Sequence, residues 1–334
     1  MNIHKKTIIL AMTPDMEIFK CIVDNLLFLN YNVILICNCT PFSGYRNFYD
    51  RIKSNYAKKI LKDKTYKEKL FLEYNKKDNL KTLDLINKKA DYSLTIRADF
   101  FDKEVINKII SKSEQSYSYH WDGLLRHPKI YDLIPFFKKF YIFDKEDVAE
   151  KKTFLITNFY LDCYEDLFED PILEYDVYFV GSNDSRIERL ITICNYLKSK
   201  KLKLKIILYG EIQEWLKKYD YLTFIREPMS YLDNLKMISK SKILLDINHL
   251  HLHSGLSFRI FESLGYNKKL LTTNDLVMKY DFYNGNNIFV IDNNLEKIDS
   301  FLDNKIIHIK SSIKNKYSFT NWIKNVLEIK NNSI

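Results

Sequence analysis

The sequence predicts an α/β protein made of two doubly wound parallel-sheet units facing a cleft. Three observations predict it. Strand-length apolar runs alternate with segments of helical spacing, the alternation stops at an acidic stretch near the middle, and it then starts afresh. At 334 residues the chain exceeds one ordinary core and suits two units of about 150 residues each. An apolar fraction of 46% lets each half bury a core of its own, and seven Gly with six Pro exclude collagenous or linker-rich material.

In the first half, residues 7–11 (TIILA) read as a buried strand. The run is too short for a signal peptide and leads straight into Thr13-Pro14-Asp15. Residues 16–29 carry Ile18, Cys21, Ile22, Leu26 and Leu27 at helical spacing, and 32–37 (NVILIC) form a second buried strand. A basic helical stretch over 51–81 precedes a strand at 92–97, a helix over 103–112 and a strand at 115–120. A helix over 131–139 and a strand at 140–143 complete the unit. Residues 162–174 are acidic, contain Pro171 and read as a linker. The second alternation places strands at 176–180, 204–209, 222–226, 242–247, 269–272 and 287–291. Its helices cover 186–200, 231–240 and 255–264. The domains expected are therefore 1–165 and 175–315, with a C-terminal helix in 316–334 that is free to pack back on the first.

The net charge of +9 suits an anionic partner without choosing among nucleotide, phospholipid, acidic glycan and nucleic acid. The excess is local, with eleven Lys/Arg in 51–81 interleaved with Tyr56, Tyr66, Phe71 and Tyr74. A solvated pair of helices accounts for this, and so does a basic face resting on an anionic membrane surface. Nucleic acid is not expected, because no recognition motif accompanies the charge. The five Cys form no CxxC pair or zinc spacing, and Cys21, Cys37 and Cys194 read as small buried hydrophobes in a reducing compartment. No run approaches the length that crosses a membrane.

Ligands of doubly wound folds bind at the carboxyl ends of strands, where a loop opens a helix. Three such places occur in the second unit. In YFVGSNDSR, Gly181 and Ser182 make a turn that lets a phosphate approach, and Arg186 could pair with it. An ordinary turn capped by Asp184 or Ser185 reads equally well. In IREPMSY, Tyr231 or Met229 could line a base pocket, while Glu227 could bind or simply cap the next helix. In DINHLHLHSGLSFRIFE, Ser254, Gly255, Leu256 and Ser257 open a helix and could present donors to a diphosphate. Arg259 and Glu262, three apart, share one helical face. Glu262 is placed to accept ribose hydroxyls and Arg259 to neutralise phosphate, unless the two are only an internal pair.

His249, His251 and His253 alternate, which in an extended segment is chelating geometry. No carboxylate or Cys completes a set, so His253 reads as a histidine near the leaving phosphate or as an ordinary loop residue. In the first unit, SYHWDGLLRH puts Asp122 and His120 after a strand, where either could take a proton from an acceptor hydroxyl. Trp121 could stack on a sugar ring, or it could fill the core while Asp122-Gly123 makes a turn. No Asp-x-Asp, P-loop, GxSxG or GxGxxG occurs. Without a metal–diphosphate clamp, a leaving diphosphate must be stabilised by helix termini and basic side chains.

Residues 255–292 carry Gly255, Arg259, Glu262, Lys269, Thr272, Thr273, Asn274 and the run from Tyr280 to Asn284. In this order they resemble the nucleotide-sugar region of bacterial GT-B glycosyltransferases from lipopolysaccharide and capsule clusters. Residues 119–148 are similar to their first-domain segment, an aromatic-Asp step followed by FDKED. The resemblance implies two Rossmann-like domains, a nucleotide-sugar donor used as substrate, and a glycan or glycolipid acceptor on the cytoplasmic side of the membrane. It implies no cofactor and no metal. One departure stands out: Glu262 fits the second Glu of the Glu-x7-Glu pair of many retaining members, but Ser254 holds the first place. Retention and inversion therefore both remain open. The rivals are a sugar-nucleotide epimerase of the same layout and a non-catalytic protein that binds polyanions or membrane.

Overall fold

The computed structural model describes residues 5–38, 45–63, 65–124, 128–148, 153–248 and 255–329. In the first half, strands β1 (Thr7–Met12), β2 (Asn32–Cys37), β3 (Ala90–Ile96), β4 (Ser113–His120), β5 (Lys139–Ile142) and β6 (Thr153–Leu155) form one sheet, ordered β2-β1-β3-β4-β5-β6. The pairs β1–β2, β1–β3, β3–β4 and β4–β5 are parallel. Helices α1 (Ile18–Phe28), α2 (Phe48–Lys59), α3 (Tyr66–Asp84) and α4 (Lys103–Ser111) lie between these strands in sequence. In the second half, β7 (Tyr175–Ser182), β8 (Leu204–Tyr209), β9 (Leu222–Ile225), β10 (Ser241–Asp246), β11 (Lys269–Thr272) and β12 (Ile288–Val290) form a wholly parallel sheet. Its order is β12-β11-β10-β7-β8-β9, the Rossmann order read from the far edge. Helices α5 (Ile187–Ser199), α6 (Tyr231–Ser239), α7 (Phe258–Gly265), α8 (Ile298–Asp303), α9 (Ser311–Lys316) and α10 (Phe319–Val326) follow in chain order.

Contacts divide the chain into two compact units. The first holds residues 1–15, 30–142 and 147–154; the second holds 16–29, 143–146 and 155–334. Helix α1 therefore leaves the sheet that precedes it and packs in the second unit. It buries Ile18, Cys21, Ile22 and Leu26, and its Asn25 accepts a hydrogen bond from the Cys163 amide at 3.2 Å. The closing helix, α10, groups with the second unit too. Phe319, Trp322, Ile323 and Val326 form its buried stripe, and Trp322 Nε1 donates to the Thr157 carbonyl at 2.9 Å.

The cores follow the two-residue alternation of strands. Val177, Phe179, Ile243 and Leu245 pack on α5 and α8 in one cluster, while Tyr178 turns to the other face and donates to Asn234 on α6 at 3.0 Å. Burial raises the thiol of Cys194 well above its usual range, as expected of a hydrophobe in that cluster. Cys37 departs from the sequence reading, being half-buried and disulfide-bonded. The helix expected over 131–139 is instead two short 3-10 turns, Pro128–Asp132 and Ile134–Phe136. Pro135 cannot donate to a continuing helix, which divides the segment. Among the described residues no helix is long and apolar enough to cross a membrane.

Lys268 and Lys269 enter β11 side by side, so they point to opposite faces of the sheet. Lys268 Nζ donates to the carbonyl of Ser239, the last residue of α6, at 2.8 Å. Lys269 Nζ donates to the carbonyls of Phe301, Leu302 (3.3 Å) and Asn304 (2.8 Å), where α8 ends. Each ammonium thus satisfies the orphan carbonyls and negative pole of a helix C-terminus. Burial lowers the ammonium of Lys268 to about 8. Replacing Lys269 by Met keeps the stem and removes the donor from those carbonyls. The variant should lose about 1–3 kcal/mol of stability, read as a lower thermal midpoint.

Candidate functional site

In the second sheet the strand order reverses between β7 and β10, which is where open α/β sheets bind ligands. Two charged groups meet at these two strand ends. Asp246, the last residue of β10, is buried and accepts from Ser257 Oγ at 2.9 Å and Thr272 Oγ1 at 2.7 Å. Arg259 Nη1 lies 3.7 Å from the same carboxylate, and Nη2 donates to the Val180 carbonyl at 2.6 Å. The guanidinium rests on the Phe179 ring, 4.9 Å from its centroid. Gly181 allows this stack, because a Cβ there would sit 2.8 Å from the Phe179 ring.

Residues 255–257 carry the chain from these strand ends into α7. Gly255 is required by close packing: a Cβ would lie 2.5 Å from the Phe143 ring and 2.9 Å from its carbonyl. The Gly255 carbonyl accepts from Asn274 Nδ2 at 3.4 Å, and the Leu256 carbonyl from Asn158 Nδ2 at 2.9 Å. In a trans peptide the N–H points opposite to the C=O. The amides of Leu256 and Ser257 therefore face away from those asparagines, and among the described residues neither makes a hydrogen bond. Ser257 is the N-cap of α7, yet its side chain makes no capping bond. The hydroxyl that would normally satisfy a first-turn amide is given to Asp246 instead. The result is a helix start whose Leu256 and Ser257 amides are unpaired among the described residues, with a guanidinium two residues on.

Glu262 stands one turn along α7, buried, with Oε1 accepting from the Tyr231 hydroxyl at 2.6 Å. Burial raises its carboxyl above the usual range, opposed by the Tyr231 hydrogen bond and by Arg259. Tyr231 is itself buried at the start of α6, so it holds Glu262 rather than lining a base pocket.

Other expected residues are spent differently. Gly181 and Ser182 are the last residues of β7 rather than a turn, and Ser182 Oγ donates to the Tyr209 hydroxyl at 3.1 Å. Arg186 forks onto both oxygens of Asp184, at 2.9 and 2.7 Å, and donates to the Ile247 carbonyl at 2.8 Å. It ties the β7 loop to the end of β10. Glu227 is exposed in the loop before α6, and Ser230 caps that helix in its place, accepting from the Asp233 amide. His249, His251, His253 and Ser254 lie outside the described residues.

In the first unit a second charged cluster sits after β3 and β4. Arg97 follows β3 with a left-handed backbone (φ 59°), and its guanidinium forks onto Asp99 at 2.9 and 2.8 Å. Its Nη1 also reaches Asp122 Oδ2 at 3.3 Å, while Asp122 Oδ1 accepts from the Gly123 amide at 2.9 Å. Asp122 therefore stands among fixed donors, partly exposed. His120 is fully buried, with Nδ1 3.5 Å from Asp99 Oδ1 and its ring stacked on Phe140. It supports the cluster from within the core.

Sequence reasoning missed Asp246, Thr272, Arg97 and Asp99 as parts of these clusters. The signal was present for two of them: Asp246 ends a buried apolar strand and Arg97 directly follows one. Protonation offers a check on Glu262. A carboxyl raised in the folded state holds its proton at pH values where the unfolded chain has lost it. Stability is then greatest below the unfolded value and falls as pH rises through the folded one. Glu262→Gln keeps an acceptor for Tyr231 and removes that loss. Thermal melts across pH should show a flatter profile and a higher midpoint at neutral pH than the parent protein.

No family model and no curated protein matches the chain. Solved structures do. A glycosyltransferase from Rickettsia africae ESF-5 is 15% identical at a TM-score of 0.51, over 98% of this chain and 98% of that one. An alpha-glucosyltransferase in complex with UDP and a 13-mer DNA is 11% identical at 0.55, over 96% and 93%. AviGT4, a glycosyltransferase involved in avilamycin A biosynthesis, is 9% identical at 0.53, over 97% and 95%. The architecture these structures share with the chain, two Rossmann-like parallel sheets each wound with helices, is the GT-B fold.

Proposed function

We propose that the protein is a glycosyltransferase that moves a sugar from a nucleotide-sugar donor to a glycan or glycolipid acceptor. The observation that carries this reading is the start of α7. There the amides of Leu256 and Ser257, unpaired among the described residues, precede Arg259, and Glu262 follows one turn later. A diphosphate would take the amides and the guanidinium, and a ribose would offer hydroxyls to Glu262 in place of Tyr231. As the leaving diphosphate gains charge, fixed donors stabilise it without reorganising, so the proposed reaction needs no catalytic metal. The absence of an Asp-x-Asp clamp from the sequence supports that part of the reading.

Asp122 is the proposed acceptor-side group. With Arg97 fixing one of its oxygens, it would orient an acceptor hydroxyl, or take its proton if the reaction inverts. The acceptor class proposed is a lipopolysaccharide, capsular or other surface glycan met at the inner face of the cytoplasmic membrane. The basic 51–81 segment supports that setting, as does the resemblance of residues 255–292 to enzymes of those clusters.

Thermal melts with UDP-, GDP-, CDP- and CMP-sugars should show stabilisation by one nucleotide class without added metal. Arg259→Ala should weaken that binding roughly tenfold or more. Glu262→Ala should weaken it as well, and indifference of the parent protein to every donor would leave the polyanion-binding rival. In a transfer assay, Asp122→Ala should lower kcat about 100-fold while the donor KM stays put. Conversion of the donor with no acceptor present would instead identify an epimerase.

A further inference from the structure

Helix α2 is built inside out. Its buried positions are Ser54 and Ala57, and the contacts that hold it are polar: Tyr45 Oη donates to Ser54 Oγ at 2.9 Å, and the Tyr74 hydroxyl of α3 donates to Asp50. Its apolar residues face the other way. Phe48, Ile52, Tyr56 and Ile60 recur every four positions, so they form one stripe along the helix, with Tyr49 beside it. These five and Leu61 are between 49% and 74% exposed. A helix on an ordinary core shows the reverse pattern.

The stripe is rimmed by Arg51, Lys53, Lys58, Lys59 and Lys62, all exposed, and the one carboxylate of the segment, Asp50, is taken by Tyr74. We propose that this face of α2 is a docking surface for a lipid bilayer bearing anionic headgroups. The aliphatic and aromatic side chains would enter the headgroup–acyl boundary, and the five cations would meet lipid phosphate. Charge excludes a second copy as the occupant, because a two-fold pairing of these faces would bring ten cations together. Nucleic acid would engage the cations and aromatics but leaves Ile52 and Ile60 without a partner. The inference rests on the proposed function for its membrane setting, while the surface itself belongs wholly to the first unit.

The full chain, without donor, is floated with vesicles of phosphatidylcholine alone and with vesicles of equal parts phosphatidylcholine and phosphatidylglycerol. Binding to the mixed vesicles is expected, with little to the neutral ones. Phe48→Ser/Ile52→Ser/Tyr56→Ser should reduce it about tenfold or more. Lys53→Glu/Lys58→Glu/Lys59→Glu should abolish it. All six side chains are exposed, so both variants should keep the parent melting point and donor-induced stabilisation. Binding that ignores the apolar substitutions, or disappears entirely in moderate salt, overturns the insertion. A parent dimer in solution that the Ser variant dissociates overturns it in favour of self-association. Donor stabilisation is read separately on α7, so loss of vesicle binding with donor binding intact defeats only this inference.

Discussion

The carboxylate of Asp246 is the group around which the second unit's strand ends are arranged. It sits where β10 stops, out of water, and so must be matched by donors. Those donors come from two places: Thr272 at the end of the neighbouring strand and Ser257 at the start of α7, with the Arg259 guanidinium close by. One buried charge thereby fixes the spacing of β10, β11 and α7. It also diverts the hydroxyl that would have capped α7.

Around this point the other conspicuous residues act at one remove. Arg186, the lysines at 268 and 269, Asn158, Asn274 and Tyr231 are all polar or charged, and all are committed to backbone or side-chain partners. They orient peptide planes, end helices or hold Glu262. Each bond is modest, but leaving its buried partner unmatched would be costly. Among the described residues, the amides of Leu256 and Ser257 are left without such a partner. In the first unit Arg97 has the organising place, because one guanidinium holds Asp99 and Asp122 across the ends of β3 and β4.

The alternation of buried runs and helical spacing was legible because both periods are written directly into the residue order. It led to the parallel sheets and to most of their elements. It failed where short-range chemistry overrides a period, as at Pro135, which divides the expected helix, and at Ser182, which stays in its strand. Arg186 and Asp184 illustrate the limit for the site. Their spacing is compatible with a phosphate ligand or an internal pair, and the bonds of Arg186 to Asp184 and to the Ile247 carbonyl appear only in the folded chain.

The sequence by itself determined the fold class and the two-part organisation, since these follow from periodicity. Tertiary structure decided which partners the polar residues take. Tyr231 lies 31 positions from Glu262, and Asn158 lies 98 from Leu256, yet each pair is joined by one hydrogen bond. Such partnerships depend on how separate elements pack, and no local pattern encodes them. The grouping of α1 with the second unit has the same origin. Its apolar stripe declares that it must be buried, but only packing determines against what.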